Sequence, residues 1–452
     1  MANRSPRLEP LDLINFFLAD VRGAFGPYLG IFLLTERHWS PATIGLVMTT
    51  GGLAGLIVQT PAGALIDATK HKRAVIIIAC AILAIGALAT VAMPDFAVVL
   101  AVNTTMAIAG AVFGPAIAAI TLGLYGHAAL ARRFGRNGAF DHAGNVAIAL
   151  LAGLIGEVAS QRAVFLLVPL FATLTSLAVL AIPTQQIDHS RARGLNPAQD
   201  SAGSPTAFGT LLACRPLLVL AVCAALFHFA NAAMLPLVGQ ELALAHPGNE
   251  TALMSACVIA AQLVMLPVAL LVGATADRLG RKPLFLAAFA ILPLRGALYT
   301  FSDNPYWLIA VQALDGVGAG LFGALTPLVL ADLMNGTGRY NLSQGAIATV
   351  QGVGASLSNV VAGTIVTAAG YHMTYLALAA IAAIAFGVFF LFMPETCSRI
   401  RSPRLSETPD PRTLAPCKRA WRERCPADSE QSHDWPDRRP WQDLRAGPEA
   451  SD

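Results

Sequence analysis

The sequence predicts an all-α membrane protein with twelve transmembrane helices, arranged as two six-helix, pseudo-symmetric halves. Three observations carry that reading. Hydrophobic residues make up 55% of the 452 residues and charged residues only 13%, against about 25% charged in a soluble domain. Apolar stretches recur along the chain at the length that a bilayer core demands, which is about 20 helical residues for about 30 Å of hydrocarbon. A charged loop also appears twice, 210 residues apart.

Residues 1–10 form a short polar N-terminus with Arg4 and Arg7. The first apolar stretch lacks a small-residue cleavage site and reads as a retained span, not a targeting segment. Six spans are expected near 11–34, 42–65, 74–93, 97–123, 137–159 and 162–183, which defines an N-terminal half over 11–183. Residues 184–215 turn polar, with Gln, Arg, Gly and Ser, and read as a linker. Six further spans follow near 216–243, 251–272, 283–301, 306–334, 342–369 and 372–393, so the C-terminal half covers 216–394. Residues 395–452 are rich in Pro, Arg, Asp and Glu and read as a disordered tail, because such a segment buries too little apolar surface to offset its ordering entropy.

Basic residues fall on one set of alternate loops: Lys70, Lys72 and Arg73; Arg132, Arg133 and Arg136; Arg191 and Arg193; Arg278, Arg281 and Lys282; and Arg339. The other set holds little beyond Arg37, His38 and Arg162. The positive-inside rule puts the first set, and both termini, in the cytoplasm. This implies a multi-pass protein of the plasma membrane, the inner membrane in a bacterium. Trp39 and Trp307 fall at the opposite interface, where amphipathic rings are favoured. Seven cysteines show no C-x-x-C spacing, which leaves no metal or redox motif.

The repeat is the most specific signal. After the second span the chain reads Gly63-Ala-Leu-Ile-Asp67-Ala-Thr-Lys70-His-Lys72-Arg73, and after the eighth Gly273-Ala-Thr-Ala-Asp277-Arg278-Leu-Gly280-Arg281-Lys282. A second echo pairs Ala109–Gly114 with Gly318–Gly323 at an offset of 209. Equivalent loops in two six-span halves are the mark of a duplicated transporter. The second copy, G-x-x-x-D-R-x-G-R-K, resembles the signature loop of the major facilitator superfamily over the membrane core, residues 11–395. The first copy departs from it, with Ala68 in place of the arginine and Lys70 in place of the glycine. The resemblance implies a cytoplasmic gate built from Gly63, Asp67, Gly273, Asp277, Arg278, Gly280, Arg281 and Lys282, latched in the outward-open state. Glycine in such a loop is expected to let helix ends approach closely. A tight turn with topology-setting charges is the plainer reading of the same residues.

Ionisable groups inside a span cost about 2.5–3.5 kcal/mol each and are expected to face a cavity or a partner. Asp20 and Arg22 lie inside the first span, two residues and therefore about 200° apart, so each has a partner on another helix or one of them faces the cavity, a structural ion pair between helices being the plainer reading. Asp315 sits in the tenth span with no basic residue in that span. The resemblance implies that the first, fourth, seventh and tenth helices line a central cavity, which makes Asp315 the first choice for a proton-carrying carboxylate. A structural carboxylate bonding a neighbouring helix is the competing reading. His228 and Asn231 share a face of the seventh span, and the imidazole titrates near neutral pH. Asp141 and Asn145 share a face at the cytoplasmic start of the fifth, where substrate contact competes with a gating or helix-start role. Asn103 and Gln312 correspond at the 209 offset as cavity polar groups.

Two features of proton-coupled drug exporters are missing: the fourth span has Asn103 near the place of an arginine, and the fifth has no G-x-x-x-G-P. The absence of phosphate-binding, kinase or hydrolase motifs argues against a nucleotide-driven pump and against an enzyme, and no cofactor is expected. The leading expectation is a monomeric secondary transporter of a small solute by alternating access, coupled to protons with sodium as the alternative ion. The resemblance implies export over import of a small polar metabolite. A non-transporting sensor or scaffold on the same fold is the second class. A channel is disfavoured by the lack of a charged ring or filter sequence, and nothing suggests nucleic acid.

Overall fold

The computed structural model describes residues 8–19, 25–188, 214–334 and 340–396. Asp20, Arg22, most of the linker and the tail beyond Thr396 therefore lie outside the described residues, as does the side chain of Asp277. Among the described residues, all regular structure is helical.

Among the described residues, nine helical stretches are long and apolar enough to cross a membrane on those grounds alone, including Pro41–Ala68, Phe96–Gly126, Arg215–Ala245 and Pro305–Met334. The last, Leu342–Phe392, folds back at Gly370, whose φ is 83°; only glycine enters that region at little cost. Arg281–Leu298 makes a further apolar helix that carries three basic residues. Pro10–Ala19 and Phe25–Thr35 flank residues 20–24 as two short apolar helices. These elements fit twelve crossings in two halves of six.

Sequence-local chemistry starts and stops these helices. Ser40 caps the second span by accepting from the Thr43 N–H at 3.2 Å, with Pro41 at the first helical position, the residue types favoured there. At the far end of that span, the buried Lys72 ammonium donates to the carbonyls of Ile66 and Thr69 at 2.7 and 2.8 Å. A cation placed there satisfies orphan carbonyls and opposes the helix dipole. Outward-facing Ile78, Ile85, Leu154, Leu263, Leu270 and Leu391 are each more than half exposed. A surface this apolar is what a lipid-facing bundle presents.

Each half has its own core. The first is built from Ile, Leu and Ala around Phe113 and Phe171, and the second around an aromatic cluster of Phe227, Phe285, Phe289, Phe322 and Phe389. The repeat also shows as a matched pair of hooks. Arg73, at the start of the third span, donates to the carbonyl of Leu180 at the end of the sixth at 3.0 Å. Lys282, at the start of the ninth, donates to the carbonyl of Phe390 at the end of the twelfth at 2.9 Å. Acceptors and donors are 210 and 209 residues apart.

Between the halves, the second span packs on the eleventh and the fifth on the eighth. Glycines set the distance. A Cβ on Gly45 would collide with the backbone of Asn359, one on Gly363 with the backbone of Pro41, and one on Gly156 with Thr251. Thr49 donates to the Ser356 carbonyl at 2.6 Å, and the Tyr28 and Ser255 hydroxyls lie 2.8 Å apart. All these contacts belong to the end remote from the basic loops. At the basic end the same four helices diverge: nothing lies within 4 Å of a Cβ built on Gly63, Gly135, Gly138, Gly273 or Gly345. The bundle is closed at one end and open at the other.

Candidate functional site

The gate loops lie at the open, basic end of the bundle. Gly63 and Gly273 do not bring helix ends together; both meet open space, because the halves have parted at that end. Asp67 and Arg278 are exposed. Gly280 is required by its backbone: its φ is 92°, and it turns the chain directly from the eighth span into the ninth. The first loop makes its turn through an extended Thr69, φ −86° and ψ 141°, and among the described residues Lys70 does not adopt positive φ. That accounts for the tolerance of lysine where the second copy has glycine.

Arg281 and Lys282 take part in a junction that the sequence did not reveal. The Glu395 carboxylate accepts from the backbone N–H groups of Arg281 at 2.9 Å and Lys282 at 3.1 Å, capping the ninth span from the end of the twelfth. The Arg281 guanidinium pairs with Asp332 at 3.2 Å. Glu395 and Thr396, assigned to the tail by composition, thus belong to the folded end of the second half. A second cluster ties the first span to the fifth. Asp12, with no exposure, accepts from Arg133 at 2.6 Å and from Arg136, while Glu9 accepts from Arg133 and Tyr125.

The central polar group lies between the ninth and tenth spans. Asp315, 14% exposed, is ion-paired with Arg295, 1% exposed. Gln312, with no exposure, donates to Asp315 at 3.2 Å and accepts from the Tyr299 hydroxyl. Asp315 therefore has a basic partner, supplied by the neighbouring span. Arg295 keeps Nε and Nη2 buried and without partners among the described residues. Sequence reasoning passed over Arg295 although it lies inside the apolar stretch 283–301, where the same cost argument applies to it as to Asp315.

Two cavities meet at Asn231. The first, about 360 Å³, is bounded by Gly30, Ile44, Leu237, Gln240, Asp315 and Asn359, among others, and so takes walls from both halves. The seventh span is interrupted beside it at Ala233, whose N–H donates to the Ser358 hydroxyl at 3.2 Å. The second, about 320 Å³, lies toward the basic end of the second half and is lined by His228, Phe322, Thr326, Gln344 and Gln351 as well as Asn231.

Other sequence candidates sit elsewhere. Asn103 donates to the Val47 carbonyl at 3.0 Å, binding the fourth span to the second. Asn145 donates back to Asp141 at 3.0 Å within the fifth span, and the adjacent His142 meets Gln262 of the eighth at 2.7 Å. So the structure places Asn231 and Asp315 at one cavity, with Gln312 buried behind Asp315, and His228 and Asn231 at the next. It leaves Asn103 in a contact between the fourth and second spans, and Asn145 bonded to Asp141 within the fifth.

The Major Facilitator Superfamily model matches residues 11–292 and again 217–448. The chain belongs to that superfamily. Uncharacterized MFS-type transporters from two strains of Mycobacterium tuberculosis are each 49% identical over 405 residues, covering 88% of this chain and 96% of their own. Among solved structures, a mutant of the nucleoside transporter NupG superposes with a TM-score of 0.71 at 16% identity, over 85% of this chain and 99% of NupG. A POT family transporter crystallised with 5-aminolevulinic acid gives 0.67 at 12%, over 85% and 95%. At such identities the structural likeness speaks for the fold alone. Membership of the superfamily makes this chain a multi-pass membrane transporter acting on small-molecule solutes.

Proposed function

We propose that this facilitator is a proton-coupled secondary transporter that moves its solute by alternating access, here in the state open at the basic, cytoplasmic end. The carrying observation is the pairing of a cavity shared by both halves with a carboxylate, Asp315, whose counter-charge sits behind it in the ninth span. Interrupted helices around a midplane site are the usual construction of such carriers, and the seventh span is interrupted at that cavity.

Asp315 has two states available to it. Ionised, it neutralises Arg295. Protonated, it releases a guanidinium that already has two unpartnered nitrogens, and the buried charge then favours any rearrangement that supplies it with a new acceptor. A proton is thereby converted into a bias between two packings. The gate loops take the complementary role. They are apart while the basic end is open, and Asp277 with its neighbours closes that end when the halves rock the other way. Export is the direction carried over from the sequence reading.

The test is solute-dependent proton movement in proteoliposomes. Asp315→Asn is expected to abolish the proton signal while the protein still inserts, and Asp277→Asn to slow flux without altering insertion. Intact, proton-linked flux in Asp315→Asn would overturn the coupling.

A further inference from the structure

We propose that the second cavity is a solute-binding site for an uncharged, planar molecule with a cis donor–acceptor edge, such as a lactam or carboxamide heterocycle. This deepens the transporter reading and rests on it for the meaning of the site, but not for the binding itself.

Three features define the chemistry. First, no charged side chain lines this cavity among the described residues, whereas its neighbour carries Asp315. An ion entering it would lose its hydration with no counter-charge in return. Second, three carboxamides converge there. Gln344 and Gln351 lie seven residues apart on one face of the eleventh span, with Ile347 and Ala348 between them, and Asn231 faces them from the seventh. None of the three side chains has a hydrogen-bond partner among the described residues. A carboxamide offers two donors and a two-lone-pair acceptor, and its bidentate match is a flat edge with donor and acceptor side by side, as Asn and Gln read adenine. Third, the far wall is aromatic. Phe227 and Phe322 are stacked with centroids 4.5 Å apart, and the His228 ring stands edge-on to Phe322 at 5.1 Å. Beside them Gly323 leaves open space where a side chain would reach. Apolar walls with a few convergent polar groups and a volume near 320 Å³ suit a small organic ligand. His228 adds a ring nitrogen, Nε2, that is buried and unpartnered among the described residues.

The experiment uses the full chain in nanodiscs, with thermal shift and equilibrium dialysis. The neutral planar probes are uracil, hypoxanthine and nicotinamide. Glucose serves as a neutral non-planar control, and orotate and nicotinate as ionised planar controls. At least one neutral planar probe is expected to bind and stabilise, with the controls inert. Gln351→Leu and Asn231→Leu should each weaken that binding roughly tenfold, the effect of losing about one bidentate contact. Gln344→Leu, at an exposed position, should weaken it in the same sense and guards against a folding defect. Failure of every neutral planar probe, equal binding of the ionised controls, or indifference to all three variants would overturn the proposal. Binding that obeys the variants, with no passage of the same probe into liposomes, keeps the site and refutes the carrier reading. Passage of a different solute class without heterocycle binding does the reverse.

Discussion

Replacing Arg295 by methionine removes a guanidinium that is 1% exposed and leaves Asp315, 14% exposed, facing the cavity without its counter-ion. Breaking a buried pair from one side costs about 3–5 kcal/mol, most of it the price of stranding the other charge. Asp315→Leu strands the opposite charge, and more severely, because Arg295 already holds Nε and Nη2 without partners among the described residues. Arg295→Met with Asp315→Leu removes both charges, and such neutral replacements cost little or even stabilise. The double variant is therefore expected within about 2 kcal/mol of the parent, giving a coupling energy of at least about 4 kcal/mol across the cycle. The assay is unfolding in mixed detergent micelles, with melting of the purified protein as a second readout. Additivity of the two single changes to within about 0.5 kcal/mol would refute the idea that these charges answer to each other. The same double variant, folded but without the ion pair, should bind solute and fail to move protons.

Three further outcomes follow from the described contacts. Glu395→Ala uncaps the ninth span and should cost about 1–2 kcal/mol in the same unfolding assay; no change would mean that the two N–H groups find water equally well. Asp12→Asn breaks the clasp on Arg133 and Arg136 and should destabilise by about 3–5 kcal/mol, since Asp12 has no exposure, with circular dichroism melting as the check. Cysteines placed at Gly63 and Gly345 should react with a water-soluble maleimide in resting protein, while one at Gly52, packed on Ser356, should not; equal reactivity would contradict a bundle closed at that end.

Much of the architecture was legible because it is written in long-range sequence statistics. Apolar length, loop charge and a repeat at 210 residues need no tertiary knowledge. The departure at Lys70 was legible too, but its meaning was not, since only the backbone shows that the first loop avoids the positive φ that Gly280 adopts. The Asp315 site was half legible. A carboxylate in a span announces a cost, but which neighbour meets that cost depends on how two helices are rotated about their axes, and Arg295 is 20 residues away in sequence. Glu395 was hidden by composition: a charged residue at the head of a polar tail looks solvated, although its carboxylate lies on the first turn of a helix whose first residue precedes it by 114 positions. Asn103 erred in the other direction, since a polar residue in a span served a neighbouring backbone carbonyl and not a cavity.

The seam between the second and eleventh spans has a further meaning. Gly45 lies against the Asn359 backbone, and Gly363 against that of Pro41, so each helix offers a bare patch to the main chain of the other. Main chain sliding over bare patches has no rotamers to reset and no interlocked side chains to lift past one another. Such a joint behaves as a plain bearing, with a low barrier to rocking and a definite stop where the backbones touch. A bulky residue at either glycine would act as a shim, and its first effect would fall on how far the opposite mouth can open and how fast, before any effect on what the protein binds.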